Sequence, residues 1–158
     1  MKDLGGYICV RNGDENDYCW REAAESLLPV VDELVICDSD STDGTKEAIE
    51  RMADANPKIR LVSYHWPHPK GDGQWWVKWL NFAREHLKTK YQITLDADEI
   101  LSDHPDCHQA VREAVTDGRP RAFDRLNFWK DANHLIPEGH AVGKFVVRFG
   151  RAEWWMPS

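Results

Sequence analysis

Short apolar runs alternate along the chain with longer segments whose apolar side chains recur three or four residues apart. The strand-like apolar runs are residues 6–10, 34–37, 59–64 and 91–95. The helix-like segments run from Asp14 or Asn16 to Pro29, from 43 to 55 and from 75 to 87. Strands that alternate with helices predict βαβ units. We therefore expect an α/β fold with a mostly parallel central sheet flanked by helices.

The remainder of the chain is less regular but adds no second domain. The sequence predicts a turn-rich loop over 65–74, a helix over 104–115, and strands over 122–129 and 144–149. The 158 residues contain no internal repeat and no low-complexity tract. This length suits one domain, so we predict a single domain over residues 1–158.

Polar clusters follow three of the predicted strands at the point where each strand ends. They are Arg11-Asn12, residues 38–43 and residues 96–99. The carboxyl ends of parallel strands meet at one edge of a sheet, which is where α/β proteins bind ligands. The three clusters are therefore expected to form one site.

The "LDADE" stretch places two carboxylates, those of Asp96 and Asp98, at the end of the fourth strand. In an extended segment, residues two apart face the same way. Two neighbouring carboxylates repel each other, and a hard divalent cation such as Mg²⁺ or Mn²⁺ relieves that repulsion. The alternatives are a solvated strand end, and a haloacid-dehalogenase-type phosphatase. In that class, however, D-x-D normally opens the domain.

The "DSDSTDGT" stretch at 38–45 admits a calcium loop, a helix cap or part of a ligand site. An EF-hand with its glycine at Gly44 would have serine at two ligand positions that favour acids, and a strand instead of a helix before it. Capping is more consistent, because Ser41 or Thr42 can cap the next helix and Asp43 suits its first turn. Asp38 remains as the residue for a ligand.

Net charge, apolar run length and cysteine spacing disfavour several classes of partner and location. The net charge of −7 disfavours nucleic acid and anionic membranes as partners. No apolar run approaches the roughly 20 residues that cross a bilayer, and the N-terminus lacks the features of a secretory signal, so a cytoplasmic location is expected. The four cysteines have no metal-site spacing and predict buried thiols, while some of the eight tryptophans could stack on a sugar or base.

The motifs taken together resemble a known family. A first strand ending in Arg-Asn, then "VICDSDSTDGT" and later "ITLDADE", resembles the family 2 glycosyltransferases of GT-A fold, and particularly the lipopolysaccharide-core glucosyltransferase-like branch. The resemblance covers residues 5–101. It implies a UDP, GDP or dTDP sugar donor, Mn²⁺ or Mg²⁺, a saccharide or other hydroxyl acceptor, and a generally inverting reaction.

The resemblance also assigns residues to the donor site. Asp38 matches the acid that holds the base, and Asp98 matches the acid that binds the metal. Asp96 is expected to bind the ribose and the metal. The other nucleotide-binding positions implied are Val10, Arg11, Asn12 and Asn81, with Lys78 substituting for an arginine whose place Leu80 occupies.

The catalytic base of the family has no matching motif in this chain. Weak candidates are Asp131 and Glu153. We therefore expect a nucleotide-binding half over 1–101 and a shortened acceptor-side half over 102–158. The alternative is a nucleotide-sugar-binding module that is inactive or completed by a partner chain, and a homo-oligomer is possible. A nucleotidyltransferase would need a glycine-rich basic loop where "RNGDEND" stands.

Overall fold

The computed structural model describes residues 4–65, 74–117, 126, 128–129, 131–135 and 150–151. The strands within these ranges are β1 (Leu4–Val10), β2 (Glu33–Asp38), β3 (Ile59–Ser63), β4 (Tyr91–Thr94), β5 (Phe128–Trp129), β6 (Asp131–Leu135) and β7 (Gly150–Arg151). The helices are α1 (Trp20–Leu27), α2 (Thr45–Ala55), α3 (Gln74–Glu85) and α4 (Pro105–Asp117).

The central sheet confirms the predicted α/β architecture. Its strand order is β3-β2-β1-β4-β7, and the first four strands run parallel. β7 joins the edge antiparallel to β4, and β5 pairs with β6 in a separate two-stranded sheet. The carboxyl ends of β1, β2 and β4 consequently lie side by side at one edge.

Alternating side chains of the central strands form a core on each face of the sheet. On one face, Ile8 and Ile36 pack with apolar residues of α1, α2 and α4. On the other face, Cys9 and Cys37 pack with Trp79 of α3. Burial on both faces explains why β1 and β2 read as continuous apolar runs.

The four cysteines are free thiols, and those of Cys9 and Cys37 are buried as predicted. Cys19 and Cys107 are only partly buried. None of the helices in the described ranges is both long and apolar enough to cross a bilayer.

The first helix begins later than the sequence predicts. α1 starts at Trp20, and residues 13–17 form turns instead of the helical turn expected from Asp14 or Asn16. Two backbone N–H groups in this segment donate to the distant side chain of Asp43, which competes with helical bonding.

The predictions for the second half lie partly outside the described residues. Of the strand predicted over 122–129, only Phe128–Trp129 is described as strand. The loop predicted over 65–74 lies mostly outside, at 66–73, and the strand over 144–149 lies entirely outside. The helix expected over 104–115 is confirmed as α4.

The start of α2 corrects the capping prediction. Its N-cap residue is Gly44, in the left-handed region at φ 94°, and neither Ser41 nor Thr42 caps the helix. The amide of the first helical residue, Thr45, is bound instead by Oδ1 of Asp43 at 3.0 Å. The Ser41 hydroxyl is already occupied by another part of the chain, as described below.

Gly13 packs directly against the indole of Trp20. A Cβ at position 13 would lie 2.8 Å from Nε1 of Trp20 and 2.8 Å from Cγ2 of Val10, and closer still to Cδ1 of Trp20. Trp20 is fully buried, so it has little freedom to move away. We expect Gly13→Ala to lower the free energy of unfolding by about 1–3 kcal/mol in urea denaturation.

The same substitution in a Trp20→Phe background is the control, because phenylalanine lacks the pyrrole atoms that the new methyl group would meet. The cost of Gly13→Ala should fall in that background. An equal cost in both backgrounds would show that the indole is not the cause.

Candidate active site

A cavity of about 370 Å³ opens at the carboxyl edge of the sheet, over the ends of β1 and β4. Its polar lining comes from Arg11, Asp96 and Asp98. The rest of its described lining consists of Cys9, Val10, Tyr18, Trp75, Trp76, Trp79 and Ala97. The cavity therefore combines one cation and two acids with an aromatic wall.

Asp96 and Asp98 line the same cavity, but they lie in a turn and not in the extended segment predicted from the sequence. The N–H of Glu99 donates to the carbonyl oxygen of Asp96 at 3.1 Å, which closes the turn. The Glu99 carboxylate accepts the N–H of Asp96 at 3.0 Å. Asp96 is half-buried and Asp98 is exposed, so both can offer oxygen atoms to a ligand.

Asp38 lies one strand away, at the end of β2 and beside Val10 of β1. Only 1% of its surface is exposed. Its Oδ2 accepts the N–H of Ser41 at 3.3 Å, whereas its buried Oδ1 has no hydrogen-bond partner among the described residues. A buried acceptor without a donor is unfavourable, so Oδ1 is suited to an N–H group supplied by a ligand.

We call residues 11–18 the donor loop, after the sugar donor to which the resemblance assigns Arg11 and Asn12. This loop is bound to the stretch that follows β2. The N–H of Asn12 donates to Oγ of Ser41 at 2.8 Å, and the N–H of Thr42 donates to Oδ1 of Asn12 at 2.9 Å. The N–H of Ser39 donates to the carbonyl of Val10 at 3.1 Å. These contacts hold the ends of β1 and β2 together beside the cavity.

Asp43 accepts two hydrogen bonds from the donor loop. Its Oδ2 accepts the N–H groups of Asp14 and Glu15 at 2.9 and 2.8 Å. Burial alone would raise the pKa of Asp43, but the hydrogen bonds from Thr45 and from the Glu15 amide outweigh it and lower the pKa to about 2. The carboxylate is therefore charged at neutral pH.

The aromatic wall was only partly predictable. Trp75, Trp76 and Trp79 stack edge to face along α3, with ring centroids 5.5 and 5.3 Å apart. Trp79 is buried, whereas Tyr18 on the donor loop is 43% exposed. The tryptophan cluster was visible in the sequence, but the part played by Tyr18 and Cys9 in the lining was not.

Cys9 forms part of the cavity lining next to an acid. Burial raises the pKa of the Cys9 thiol well above its usual value, and the neighbouring Cys37 and the charge of Asp96 raise it further. The thiol is thus neutral and contributes an apolar surface to the cavity.

The remaining predicted residues have different locations. Asn12 is adjacent to the cavity lining, but its side chain is engaged within the donor loop and by Thr42. On α3, Lys78 is exposed and Asn81 half-buried, and neither belongs to the described lining. Of the base candidates, Asp131 begins β6 and Glu153 lies outside the described residues, so both assignments stay predictions.

The two acids of the cavity fit a hard divalent cation in part. Asp96 and Asp98 offer carboxylate oxygens, the donors that Mg²⁺ and Mn²⁺ prefer. Within the described ranges, no group of three or more histidine, cysteine or acidic side chains could hold an ion without help. Mg²⁺ is commonly held by one or two carboxylates together with substrate phosphates and water, so a bound diphosphate would complete this site.

Comparison with protein families decides the class of the chain. A sequence model described as glycosyl transferase family 2 matches residues 17–140, which is most of the chain. The chain belongs to that family. Comparison with curated proteins gives no match. The finer resemblance to the lipopolysaccharide-core branch stays a prediction.

Solved structures share the fold of this family 2 member. The structure of residues 1–349 of TarS from S. aureus superimposes with a TM-score of 0.60 at 13% identity, covering 94% of this chain and 47% of that segment of TarS. The same TarS segment in complex with UDP gives a TM-score of 0.60 at 14% identity, covering 94% of this chain and 46% of that one.

A third structure is the mannosyltransferase PcManGT from Pyrobaculum calidifontis, in complex with GDP-Man and Mn²⁺. It gives a TM-score of 0.53 at 21% identity, covering 79% of this chain and 38% of PcManGT. This chain therefore spans less than half the length of each of these structures. At such identities the likeness shows the fold, and it confirms the predicted GT-A architecture.

Proposed function

We propose that this family 2 member transfers a sugar from a nucleotide-diphosphate sugar to an acceptor hydroxyl, with the help of a divalent metal and with inversion at the anomeric carbon. The observation that carries the proposal is the cavity at the carboxyl edge of the sheet. There Arg11 of the donor loop and the acids Asp96 and Asp98 line one space of about 370 Å³.

The donor is assigned to the three neighbouring strand ends. The buried Oδ1 of Asp38 suits an N–H group of uracil, thymine or guanine, and Arg11 suits the negative charge of phosphates. TarS with UDP and PcManGT with GDP-Man support a nucleotide donor for this fold. Lys78 and Asn81 stay predicted contacts to the nucleotide.

Asp96 and Asp98 would hold the ion, either Mn²⁺ or Mg²⁺. A cation bound there would neutralise the negative charge that develops on the leaving diphosphate. The presence of Mn²⁺ in the PcManGT complex supports a divalent cation in the proposed reaction. The half-buried Asp96 would also orient the ribose, while the exposed Asp98 would hold the ion on the diphosphate.

The acceptor side of the reaction requires a base. A carboxylate acting as general base must take the proton from the acceptor hydroxyl, and Asp131 and Glu153 remain the candidates for this role. We assign residues 1–101 to donor binding and 102–158 to the acceptor side. A saccharide acceptor, a cytoplasmic location and a homo-oligomer stay predictions.

Titration of the chain with UDP-, GDP- and dTDP-sugars in the presence of Mn²⁺ tests the proposal. We expect one class of base to bind preferentially by calorimetry, and the bound donor to hydrolyse slowly because water can replace the acceptor. Nuclear magnetic resonance of the released sugar would give the anomer, which should be inverted.

The same titration with EDTA in place of Mn²⁺ is the control and should show much weaker binding. Failure of all three donors to bind would contradict the proposed function. Binding of a donor without any hydrolysis or transfer would instead favour the second candidate, a nucleotide-sugar-binding module that is inactive or completed by a partner chain.

A further inference from the structure

The donor loop is held by side chains from a segment that lies about thirty residues further along the chain. Two of its residues, Arg11 and Tyr18, line the cavity from opposite ends of the loop. Between them, the loop contains two non-glycine residues in the left-handed region, Asn12 at φ 48° and Asp17 at φ 54°. Asparagine and aspartate tolerate this conformation better than other non-glycine residues, and hydrogen bonds to the loop hold it in this shape.

Asp43 provides the central contact that holds the loop. Its Oδ2 accepts two consecutive amides, those of Asp14 and Glu15, while its Oδ1 accepts the amide of Thr45 at the start of α2. One carboxylate thereby links the middle of the donor loop to the first turn of a helix whose inner face is buried in the core. Hydrogen bonds to a charged acceptor are stronger than those between neutral groups.

A second contact supports the first from the start of the loop. Asn12 donates its backbone N–H to Oγ of Ser41 and accepts the N–H of Thr42 through its side-chain oxygen. Its Nδ2 donates to the Glu15 carboxylate at 2.8 Å. Because both polar ends of the Asn12 side chain are already engaged, Asn12 holds the loop together in this structure.

The middle of the loop is also fixed to α1, through the side chain of Asp14. Its Oδ1 accepts Nε1–H of the buried Trp20 at 3.0 Å, and its Oδ2 accepts Nη2 of Arg21 at 2.8 Å. The Arg21 guanidinium also lies 4.4 Å from the centre of the Trp20 ring. The loop is thus connected to α1 on one side and, through Asp43, to α2 on the other.

We propose that Asp43 is a positioning residue, which holds the donor loop so that Arg11 and Tyr18 line the donor cavity, without touching the donor itself. The inference rests on the proposed function, since the ligand of the cavity is taken to be the nucleotide donor. It gives the acidic stretch after β2 two separate tasks. Asp38 is assigned to the base, and Asp43 sets the shape of the site.

Asp43→Asn is the variant that tests this role. The amide oxygen of asparagine can still accept the N–H of Thr45, but its NH₂ group cannot accept the two N–H groups of the loop. We expect the dissociation constant for UDP, GDP or dTDP with Mn²⁺, whichever the wild-type chain binds, to rise about tenfold, as for the loss of about one net hydrogen bond. Hydrogen exchange at the amides of Asp14 and Glu15 should accelerate.

The kinetics of donor hydrolysis provide a further readout. A loop that only positions binding groups should raise KM for the donor and leave kcat within about twofold. Asp54→Asn is the matched control, because Asp54 is an exposed acid near the other end of α2 and its loss changes the charge equally. Asp54→Asn should change neither nucleotide binding nor hydrogen exchange at the amides of Asp14 and Glu15.

Ser41→Ala is a milder second variant in case Asp43→Asn does not fold, because it removes only the acceptor for the Asn12 amide. It should shift nucleotide affinity in the same direction. If the wild-type chain binds nucleotide and both variants bind it equally well, the role of Asp43 is overturned. If the wild-type chain binds none of UDP, GDP and dTDP, the proposed function itself is overturned.

Discussion

Asp98→Ala is expected to abolish the Mn²⁺-dependent part of nucleotide-diphosphate binding and to reduce donor hydrolysis about a hundredfold or more, because a catalytic metal contributes several kcal/mol. Asp98 is exposed and lines the cavity, and within the described ranges its carboxylate accepts no hydrogen bond. Its removal should therefore leave the free energy of unfolding within about 0.5 kcal/mol. Calorimetry with UDP or GDP, with and without Mn²⁺, measures the effect.

Asp103→Ala is the matched control for this experiment. Asp103 is an exposed acid five residues further along, outside the described cavity lining, and its removal changes the net charge equally. Binding should be unchanged in this variant. The assignment of the metal to Asp98 would be wrong if Asp98→Ala retained the affinity and the Mn²⁺ dependence of the wild-type chain.

The sheet and the positions of the acids could be predicted because their signals are local. β1 and β2 are buried on both faces, and this produced the continuous apolar runs at 6–10 and 34–37. Asp38 follows the run at 34–37 and Asp96 follows the run at 91–95, so both could be placed at the carboxyl edge of the sheet. No long-range contact was needed for that step.

The shape of the site depends on contacts that leave no local signal. The sequence predicts a helix from Asp14 or Asn16, but the amides of Asp14 and Glu15 bind Asp43, which is 29 residues from Asp14. The same competition explains the wrong capping prediction, since the Ser41 hydroxyl accepts the Asn12 amide and the Asp43 carboxylate is shared between the loop and Thr45. Pairing between such distant segments is visible only in the folded chain.

The aromatic wall lies between these two cases. Helical spacing placed Trp75 and Trp79 on one face of a predicted helix. The sequence did not show that the first turn of this helix would lie at the carboxyl edge of the sheet. In the structure, Trp79 packs with the core beneath the cavity, while Trp75 and Trp76 are only partly buried and line it. Tyr18 completes the lining from the donor loop, on a segment whose helical prediction was wrong.

Asp38→Asn is expected to weaken binding of the preferred nucleotide by about tenfold to a hundredfold, as for the loss of a hydrogen bond to a charged acceptor. The same change should not destabilise the free protein. Oδ1 of Asp38 is buried without a hydrogen-bond partner among the described residues, so the wild-type chain already bears the cost of burying it. An uncharged amide is cheaper to bury, and we expect an unchanged or higher melting temperature.

Weaker nucleotide binding together with an unchanged or higher melting temperature would distinguish a binding role of Asp38 from a structural one. Substitution of a residue that serves stability would lower both stability and affinity, whereas substitution of a residue that serves ligand binding lowers only affinity.

Asp40→Asn is the control, because Asp40 is exposed two residues away and asparagine tolerates its left-handed backbone at φ 53°. Only 1% of Asp38 is exposed, so a base reaches Oδ1 only if the covering groups move. Equal affinity of Asp38→Asn and the wild-type chain for every base would show that Asp38 does not hold the base.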